Sequence, residues 1–584
     1  MLLEELREYS GRLDLAPPMY QKSPIKWLID LDAAGNMDNF VSTTAGQELK
    51  KDRGKAFIAP HIGRSSGIRA KLLADTGEYV LGLAREKDKQ ARVEECHQAF
   101  VKQVRACAMA TNEQTVKAVL KFLERRNPST LRLPDGFNAA DNLTFRVDGV
   151  LPIHLKSVQD YWAAVAAGGK EIDAQSTKDL LECLICGYLR KPVKRHQFKI
   201  KHIPGGQPSG MALISANVPA FESYGLEASL IAPTCQDCGE RFTKAANALI
   251  EDESTHITVG PLVYVFWTKE EQAFSVATLL SRPESDEVRA LINSIFSGTR
   301  GATKIETTPF YATAFSASGG RVVVRDWLET TIAGAKANLA RWFTLQSIIG
   351  EWGEPEAPPF PIRGYLRKES KQWVEGLAEC IVPRIKQRRN VQDVNPNVPK
   401  VLLRMALKGG SLPMWLLSQA VNRNRGEQGI TRSRAAMIKM VLLSQNSDFI
   451  LEESMVKLDP DRKDPAYLCG RLLALLEAIQ REAIPGAKAT ITDRFFGTAS
   501  SAPASVFGRL IRGSQPHLGK LRKDRRGAYE ALEKRLEEIQ VGLPSFPKTL
   551  TLEEQGLFGL GYYHQRAADR ACANVHKQAK EQEQ

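Results

Sequence analysis

The chain has 584 residues, more than one hydrophobic core usually supports, so its length predicts two to four domains. With 43% hydrophobic and 25% charged residues, its composition is that of an ordinary globular protein and excludes a disordered or fibrous chain. Lys and Arg outnumber Asp and Glu by 80 to 67, a formal net charge of +13, which favours polyanionic partners but equally describes a solvated basic surface.

The opening MLLEELREYS carries acidic residues where a secretory signal needs a basic region and an apolar run. No uninterrupted apolar stretch approaches the roughly 18 residues of a membrane span. The expectation is a cytoplasmic protein without membrane contact. The nine cysteines, an odd number, argue against a disulfide framework and for reduced thiols or metal ligands.

The first basic cluster runs from Arg53 to Leu73. Within it Arg64, Ser65, Ser66, Gly67, Arg69 and Lys71 combine cations, hydroxyls and a glycine that permits close backbone approach, which suits phosphate and base-edge contacts. A solvated loop between two strands has the same composition, so both readings stand at this level.

Cys183 and Cys186, then Cys235 and Cys238, form two C-x-x-C pairs, each followed by a glycine, Gly187 and Gly239. Two residues between thiolates let both sulfurs reach one ion, so the pairs together predict a tetrahedral zinc site. The 48 residues between Cys186 and Cys235 exceed the roughly 15–20 of a compact ribbon, which leaves two unrelated turns as the alternative. Four thiolates leave no position for water, so any zinc held there is structural. His196 and His202 lie between the pairs and are read as surface or packing groups. A further basic run begins at Lys191, and others at Pro383 and Gly519. Each suits a nucleic-acid backbone or a solvated face.

His256–Trp267, rich in β-branched and aromatic residues, is read as one buried strand. Gly319 and Gly320 predict a turn into a second strand, RVVVR from Arg321. The proline-rich 353–362 reads as a linker. From about residue 365 the pattern is helical: Asp464 and Pro465 cap a helix with Leu468, Leu472, Leu475, Leu476 and Ile479 at helical spacing. Another carries Tyr529, Leu532, Leu536 and Ile539 on one side and ends near Gly542.

The predicted fold class is therefore an α+β N-terminal region with a zinc-knuckle insertion, followed by an all-α C-terminal helical bundle. Its segments are 1–352 (knuckle at about 180–240), a linker at 353–362, a helical middle region at 363–454, a bundle at 455–584, and a frayed tail from about Lys577. The sequence contains no GxxxxGK[ST] loop, HExxH, GxSxG elbow or Rossmann fingerprint, and its nine histidines are scattered, so the expectation is a protein without catalytic activity.

LISANVPAFESYG (Leu213–Gly225), KAANALI (Lys244–Ile250), RSSGIRAKLLADTGEYVLG (Arg64–Gly82), RVVVRDW (Arg321–Trp327), TRSRAAMIKMVL (Thr431–Leu442), TDRFFGTASSAPASVFGRL (Thr492–Leu510) and LGYYHQR (Leu560–Arg566) occur together in this chain. Together these stretches resemble the large subunit of the type I-C CRISPR Cascade surveillance complex over nearly the whole length. The resemblance implies a division of labour in which guide RNA reads the target by pairing, while this subunit reads a short protospacer-adjacent motif in duplex DNA. It further implies promotion of R-loop formation, binding of the displaced strand, and a platform for the helicase-nuclease.

The implied partners are guide RNA, target duplex DNA, the Cascade backbone and guide-processing subunits, a separately translated small subunit and the helicase-nuclease. On this reading Arg64–Lys71 becomes the motif loop, and Asn217–Gly225 is read mainly as packing that supports it. The C-terminal bundle resembles the small subunit, with Met455 favoured over Met437 and Met440 as an internal start. Arg494, Arg509, Arg512, Lys520, Arg522, Lys523, Arg525 and Arg526 become candidates for cradling displaced single strand. A stand-alone zinc-containing RNA-binding factor is the first rival reading, and a nuclease whose metal ligands are too dispersed to recognise from the sequence is the second.

Overall fold

A computed structural model describes residues 1–44, 52–64, 67–85, 90–126, 131–166, 180–216, 218–270, 274–296, 307–367, 371–383, 394–445 and 455–582. Ser65, Ser66, Asn217 and most of the basic run after Pro383 lie outside them. The chain divides into two compact units: Met1–His202, Gly206–Ala248 and Ser318–Val322 form the first; Ile203–Gly205, Leu249–Ala317 and Val323–Gln584 form the second.

The first unit opens with helix α1 (Leu2–Ser10), followed by β1 (Tyr20–Ile25), β2 (Trp27–Leu31), β3 (Met37–Ser42), β4 (Lys55–Pro60), β5 (Ala74–Thr76) and the single turn α2 (Gly77–Val80). Then come α3 (Gln90–Thr111), α4 (Gln114–Arg125), β6 (Asn142–Val147), α5 (Lys156–Ala166), the two-residue strands β7 (Leu181–Glu182) and β8 (Leu189–Arg190), and α6 (Gln236–Glu251). Four strands make a sheet in the order β3-β2-β6-β5, and β1 pairs with β4. β2 and β6 run parallel, Ile29 opposite Phe145. The long excursion between them, which contains α3 and α4, is what a parallel pair requires. Phe100 of α3, Val119 of α4 and Phe145 of β6 are buried in one core.

The second unit contains β9 (His256–Val259), β10 (Leu262–Thr268), α7 (Val276–Ser281), α8 (Ser285–Phe296), all but the Ser318–Val322 ends of β11 (Pro309–Ser318) and β12 (Arg321–Thr331), then α9 (Ile332–Gln346), β13 (Tyr365–Arg367) and β14 (Gln372–Val374). It continues with α10 (Asn397–Lys408), α11 (Met414–Glu427), α12 (Arg432–Ser444), α13 (Pro465–Ala483), α14 (Ile491–Ala499), α15 (Phe507–Asp524), α16 (Arg526–Val541) and α17 (Leu552–Gln582). The larger sheet has the order β12-β11-β10-β9. Opposed Trp267 and Tyr311 form an aromatic cluster with Trp327, with centroids 5.6–5.8 Å apart.

The single strand expected at His256–Trp267 is instead a hairpin. Gly260 takes φ +57 and is followed by Pro261, so β9 turns back on β10 with Val259 opposite Leu262. Likewise, the expectation of helix alone after residue 365 misses the β13-β14 hairpin. Helix α17 runs to Gln582, through the tail expected to fray. In the proline-rich stretch, Phe360 and Ile362 are buried members of the main core, and the Ile362 N–H donates to the Leu280 carbonyl at 2.9 Å.

The capping residues foreseen for α13 are in place, with Asp464 at the N-cap and Pro465 at N1. A separate apolar core, from Ala466 to Tyr562, joins α13–α17. Its tightest crossing is α13 on α17, and glycines on both helices make it possible. A Cβ on Gly470 would lie 2.0 Å from the Phe558 carbonyl oxygen, and one on Gly561 would lie 2.1 Å from that of Tyr467. The cost of glycine inside a helix is offset by backbone approach that no other residue permits.

Candidate metal centre and basic surfaces

The two cysteine pairs meet despite the intervening chain. β7 and β8 form a hairpin whose turn holds Cys183 and Cys186; the Cys183 N–H donates to the Tyr188 carbonyl at 3.0 Å and the Gly187 N–H to the Cys183 carbonyl at 2.8 Å. Gly187 has φ +70, the left-handed conformation that a knuckle glycine supplies. The second pair enters from another element: Cys235 immediately precedes α6, and Cys238 lies in its first turn. Pro192 bridges to Cys235, and the Leu184 N–H donates to the Pro233 carbonyl at 2.9 Å. These backbone bonds fold the intervening residues around the site.

Gly239, unlike Gly187, does not adopt the left-handed conformation. It sits within α6, and a Cβ there would meet the His196 ring at 2.8 Å. His196 packs on this glycine and on Phe242, ring centroids 6.0 Å apart, and burial lowers its pKa to about 4. The glycine makes room for a histidine. Helix α6 is itself pinned: Glu240 accepts the Met19 N–H at 2.9 Å and pairs with Lys244 at 2.6 Å.

The four Sγ atoms lie within 4.8 Å of one another. A tetrahedral ion with bonds of about 2.3 Å holds its sulfurs about 3.8 Å apart, and Cys186 Sγ to Cys235 Sγ is 4.0 Å. Cys183, Cys235 and Cys238 are buried, and Cys186 is half-buried. The donor set therefore fits one metal ion. Hydrogen bonding from Cys238 brings the Cys235 thiol down to about 5, while the same interaction drives the Cys238 thiol up. Burial raises Cys186. A cation bound by all four sulfurs would hold them as thiolates, with proton release. The backbone N–H of Cys235 points at Cys183 Sγ, 3.4 Å away.

In the loop after β4, the candidate residues divide. The Arg64 guanidinium pairs with Asp75, donates from Nε to the Arg69 carbonyl at 2.7 Å, and lies 4.0 Å over the Tyr79 ring. Arg69 donates to the Gly63 carbonyl at 3.1 Å and remains exposed. Lys71 is largely enclosed, and burial lowers its pKa. Among the described residues, Gly67, with φ +75, has no atom within 4 Å of where its Cβ would stand. Thus Arg64 shapes the loop, and Gly67 and Arg69 face outward. Asp75, fully enclosed, is the residue sequence reasoning missed; it also accepts the Lys71 N–H at 2.9 Å and the Thr76 N–H at 2.8 Å.

The packing role expected for Asn217–Gly225 does not hold for its described part. Residues 218–225 are all exposed, Tyr224 at 99%, on a turn closed by the Ser223–Leu226 bridge. In the second unit, Arg494, Arg509, Arg512, Lys520, Arg522, Lys523, Arg525 and Arg526 are all exposed on α14, α15, α16 and the junction between the last two. Three are engaged within the protein: Lys520 with the Ala483 carbonyl at 2.9 Å, Arg525 with Glu482 at 2.5 Å, and Arg526 with Glu530 at 3.0 Å. Arg509 lies 4.6 Å over the Phe495 ring at the mouth of a cavity of about 190 Å³.

An α+β region in which four cysteines converge, followed by a helical region with exposed basic residues, defines a protein with a candidate metal-holding scaffold and cations on its surface. Among the described residues no helix is long and apolar enough to cross a membrane. The family described as CRISPR-associated protein (Cas_Csd1) matches residues 3–569, and the chain belongs to that family. A search of the curated proteins found no match.

Proposed function

We propose that this chain is the non-catalytic large subunit of a type I-C CRISPR RNA-guided surveillance complex, a Cascade. In this role it reads a protospacer-adjacent motif in duplex DNA, promotes R-loop formation, holds the displaced strand and recruits the helicase-nuclease. The observation that carries the reading is membership of a CRISPR-associated family along nearly the entire chain, combined with exposed cations in both units. Sequence recognition along the target falls to base pairing with guide RNA, which leaves the protein to recognise only a short duplex tag and the backbone.

Within this reading Arg69 and Gly67 make the outward motif contact, together with Ser65 and Ser66, while Arg64 and Lys71 hold the loop's shape. The basic residues of α14, α15 and α16 track the displaced strand by charge. Zinc is the metal of the four-cysteine centre, bound by Cys183, Cys186, Cys235 and Cys238. It supplies a structural cross-link between the β7-β8 hairpin and α6, and no reaction is assigned to it. The complex operates in the cytoplasm with guide RNA, the backbone and guide-processing subunits, and a small subunit translated separately from Met455.

The test is co-expression with the neighbouring CRISPR genes, followed by gel-shift titration of the purified complex with duplexes that carry or lack the motif. The expected result is tighter binding to motif-bearing DNA that disappears when this chain is omitted. Equal affinity for both duplexes, with and without the chain, defeats the proposal. Cleavage of DNA by the isolated chain with magnesium would contradict its non-catalytic assignment.

A further inference from the structure

The hairpin that carries Cys183 and Cys186 ends in side chains that its own packing does not use. Leu184, Tyr188 and Leu189 are 56%, 63% and 69% exposed, while Cys183 and Ile185 among them are 2% and 6% exposed. Single exposed apolar groups are ordinary, but three within six residues form a patch. The chain leaving the patch is cationic: Arg190, Lys191, Lys194 and Arg195 are all exposed, and the Arg190 guanidinium lies 5.7 Å over the Tyr188 ring. Of the nearby acids, Glu227 is paired with Lys194 at 2.5 Å and Asp237 with Arg241 at 2.9 Å; Glu182 is exposed on β7.

Two residue pairs, Leu181 opposite Arg190 and Glu182 opposite Leu189, are too few to hold a hairpin's shape in water. Its bonds to the 233–235 segment and the cysteine centre supply the missing rigidity. The patch is therefore presented by the metal site, although no ligand of that site belongs to the patch.

Charge selects among occupants. An apolar protein surface would have to bury several like charges beside Tyr188, which is costly. Duplex DNA matches the cations but hides the faces of its bases. Unpaired nucleotides offer both a phosphate backbone for the cations and planar apolar faces for the ring and the leucines.

We propose that the β7-β8 hairpin is a contact site for single-stranded nucleic acid, in which Tyr188 stacks on an unpaired base, Leu184 and Leu189 flank it, and Arg190, Lys191, Lys194 and Arg195 track the phosphates. The inference rests on the DNA-handling role proposed above only for which strand is presented; the chemistry of the contact stands on the hairpin itself.

The test uses fluorescence anisotropy of the full chain with a labelled oligothymidine and with an abasic strand of equal length and charge. The parent chain is expected to prefer oligothymidine. Tyr188→Ala lowers that affinity about tenfold or more, as loss of one stacked base does, leaves abasic binding unchanged and retains its full metal content; Tyr188→Phe restores the preference. Irradiation of the parent chain with a 5-iodouracil strand should attach the strand at Tyr188, a readout that does not depend on any variant folding. Equal affinity for thymidine and abasic strands, unchanged binding by metal-loaded Tyr188→Ala, or crosslinks that avoid the hairpin would each overturn the proposal. So would a Tyr188→Ala variant that binds oligothymidine normally but fails to join its protein partners. Equal affinity of the assembled complex for motif-bearing and motif-free duplexes, with and without this chain, while thymidine stacking by the chain is intact, would refute the subunit role and leave this one standing.

Discussion

Asp75 is the point at which the Arg64–Lys71 loop is most open to attack without touching its outer surface. Its carboxylate is fully enclosed, while the Arg64 side chain it pairs with is 27% exposed, so the pair lies between two measured regimes. Exposed pairs contribute about 0–1 kcal/mol, whereas removing one partner of a buried pair costs about 3–5 kcal/mol. Partial access of water to Arg64 puts Asp75→Ala at roughly 2–3 kcal/mol, since the change also leaves the Lys71 and Thr76 N–H groups without their acceptor. For a unit of this size that corresponds to a fall of roughly 5–10 °C in the transition that melts the first unit. Calorimetry of parent, Asp75→Asn and Asp75→Ala should give a graded loss, with the asparagine milder because it keeps an acceptor. Under the proposed function, both variants also weaken binding of motif-bearing duplex although Asp75 never meets DNA. A melting temperature within about 1 °C of the parent for Asp75→Ala, well below that expected fall, would refute the argument that this carboxylate holds the loop.

Under the zinc assignment proposed above, the parent should carry one zinc per chain and Cys238→Ser near zero by elemental analysis, because three thiolates and a hydroxyl bind the ion far more weakly; a metal-free parent, or metal retained by the variant, would refute the assignment. Lys439 is 1% exposed, donates to the Ser347 carbonyl, and is pushed by burial to about 7. Its folded pKa is below the unfolded value, so between pH 7 and about 10.4 the unfolded chain binds more protons and stability rises with pH, by up to about 1.4 kcal/mol per pH unit. Lys439→Met should stabilise the second unit at neutral pH and flatten that rise in denaturation curves taken across the window. Two glycine substitutions should move in opposite directions in the same assay. Gly561→Ala forces α13 and α17 apart and costs about 3 kcal/mol or more, whereas Gly513→Ala on α15, where no atom lies within 4 Å of the added carbon, gains about 0.5–1 kcal/mol.

What the sequence made legible was mostly local chemistry. Asp464-Pro465 announced α13 chiefly because the proline's preset φ acts within the first turn; the Asp464 carboxylate makes no cap bond to the helix and pairs with Arg462 instead. Gly319-Gly320 announced the β11-β12 turn for a similar reason. The cysteine pairs were readable as ligands, yet their meeting depended on backbone bonds from 184 to 233 and 193 to 234, which no spacing rule encodes. The hairpin at His256–Trp267 carried its signal in Gly260-Pro261, outweighed by the β-branched residues on either side. Asp75 could not have been found from pattern, since an aspartate beside a threonine and a glycine usually marks a solvated turn. Its role comes from burial beside Arg64. The exposure of Tyr188 and Tyr224 was equally hidden, because an aromatic in a short turn is as often packed inward as displayed.

The face that α17 turns away from its own bundle has a consequence for any shorter product of the same gene. The buried residues of the core that joins α13–α17, from Ala466 to Tyr562, all lie beyond Met455, so a polypeptide beginning there keeps them together. It would nevertheless lack α11 and α12, against which Gly556 rests on Leu417 and Ile438 and which help to enclose Leu560 and Tyr563. Released from that cover, the fragment would show water a greasy stripe along its longest helix. Such a fragment would stay dispersed only by pressing that stripe against a sister copy or a neighbouring subunit, which makes its self-association a direct readout of how α17 is shielded in the full chain.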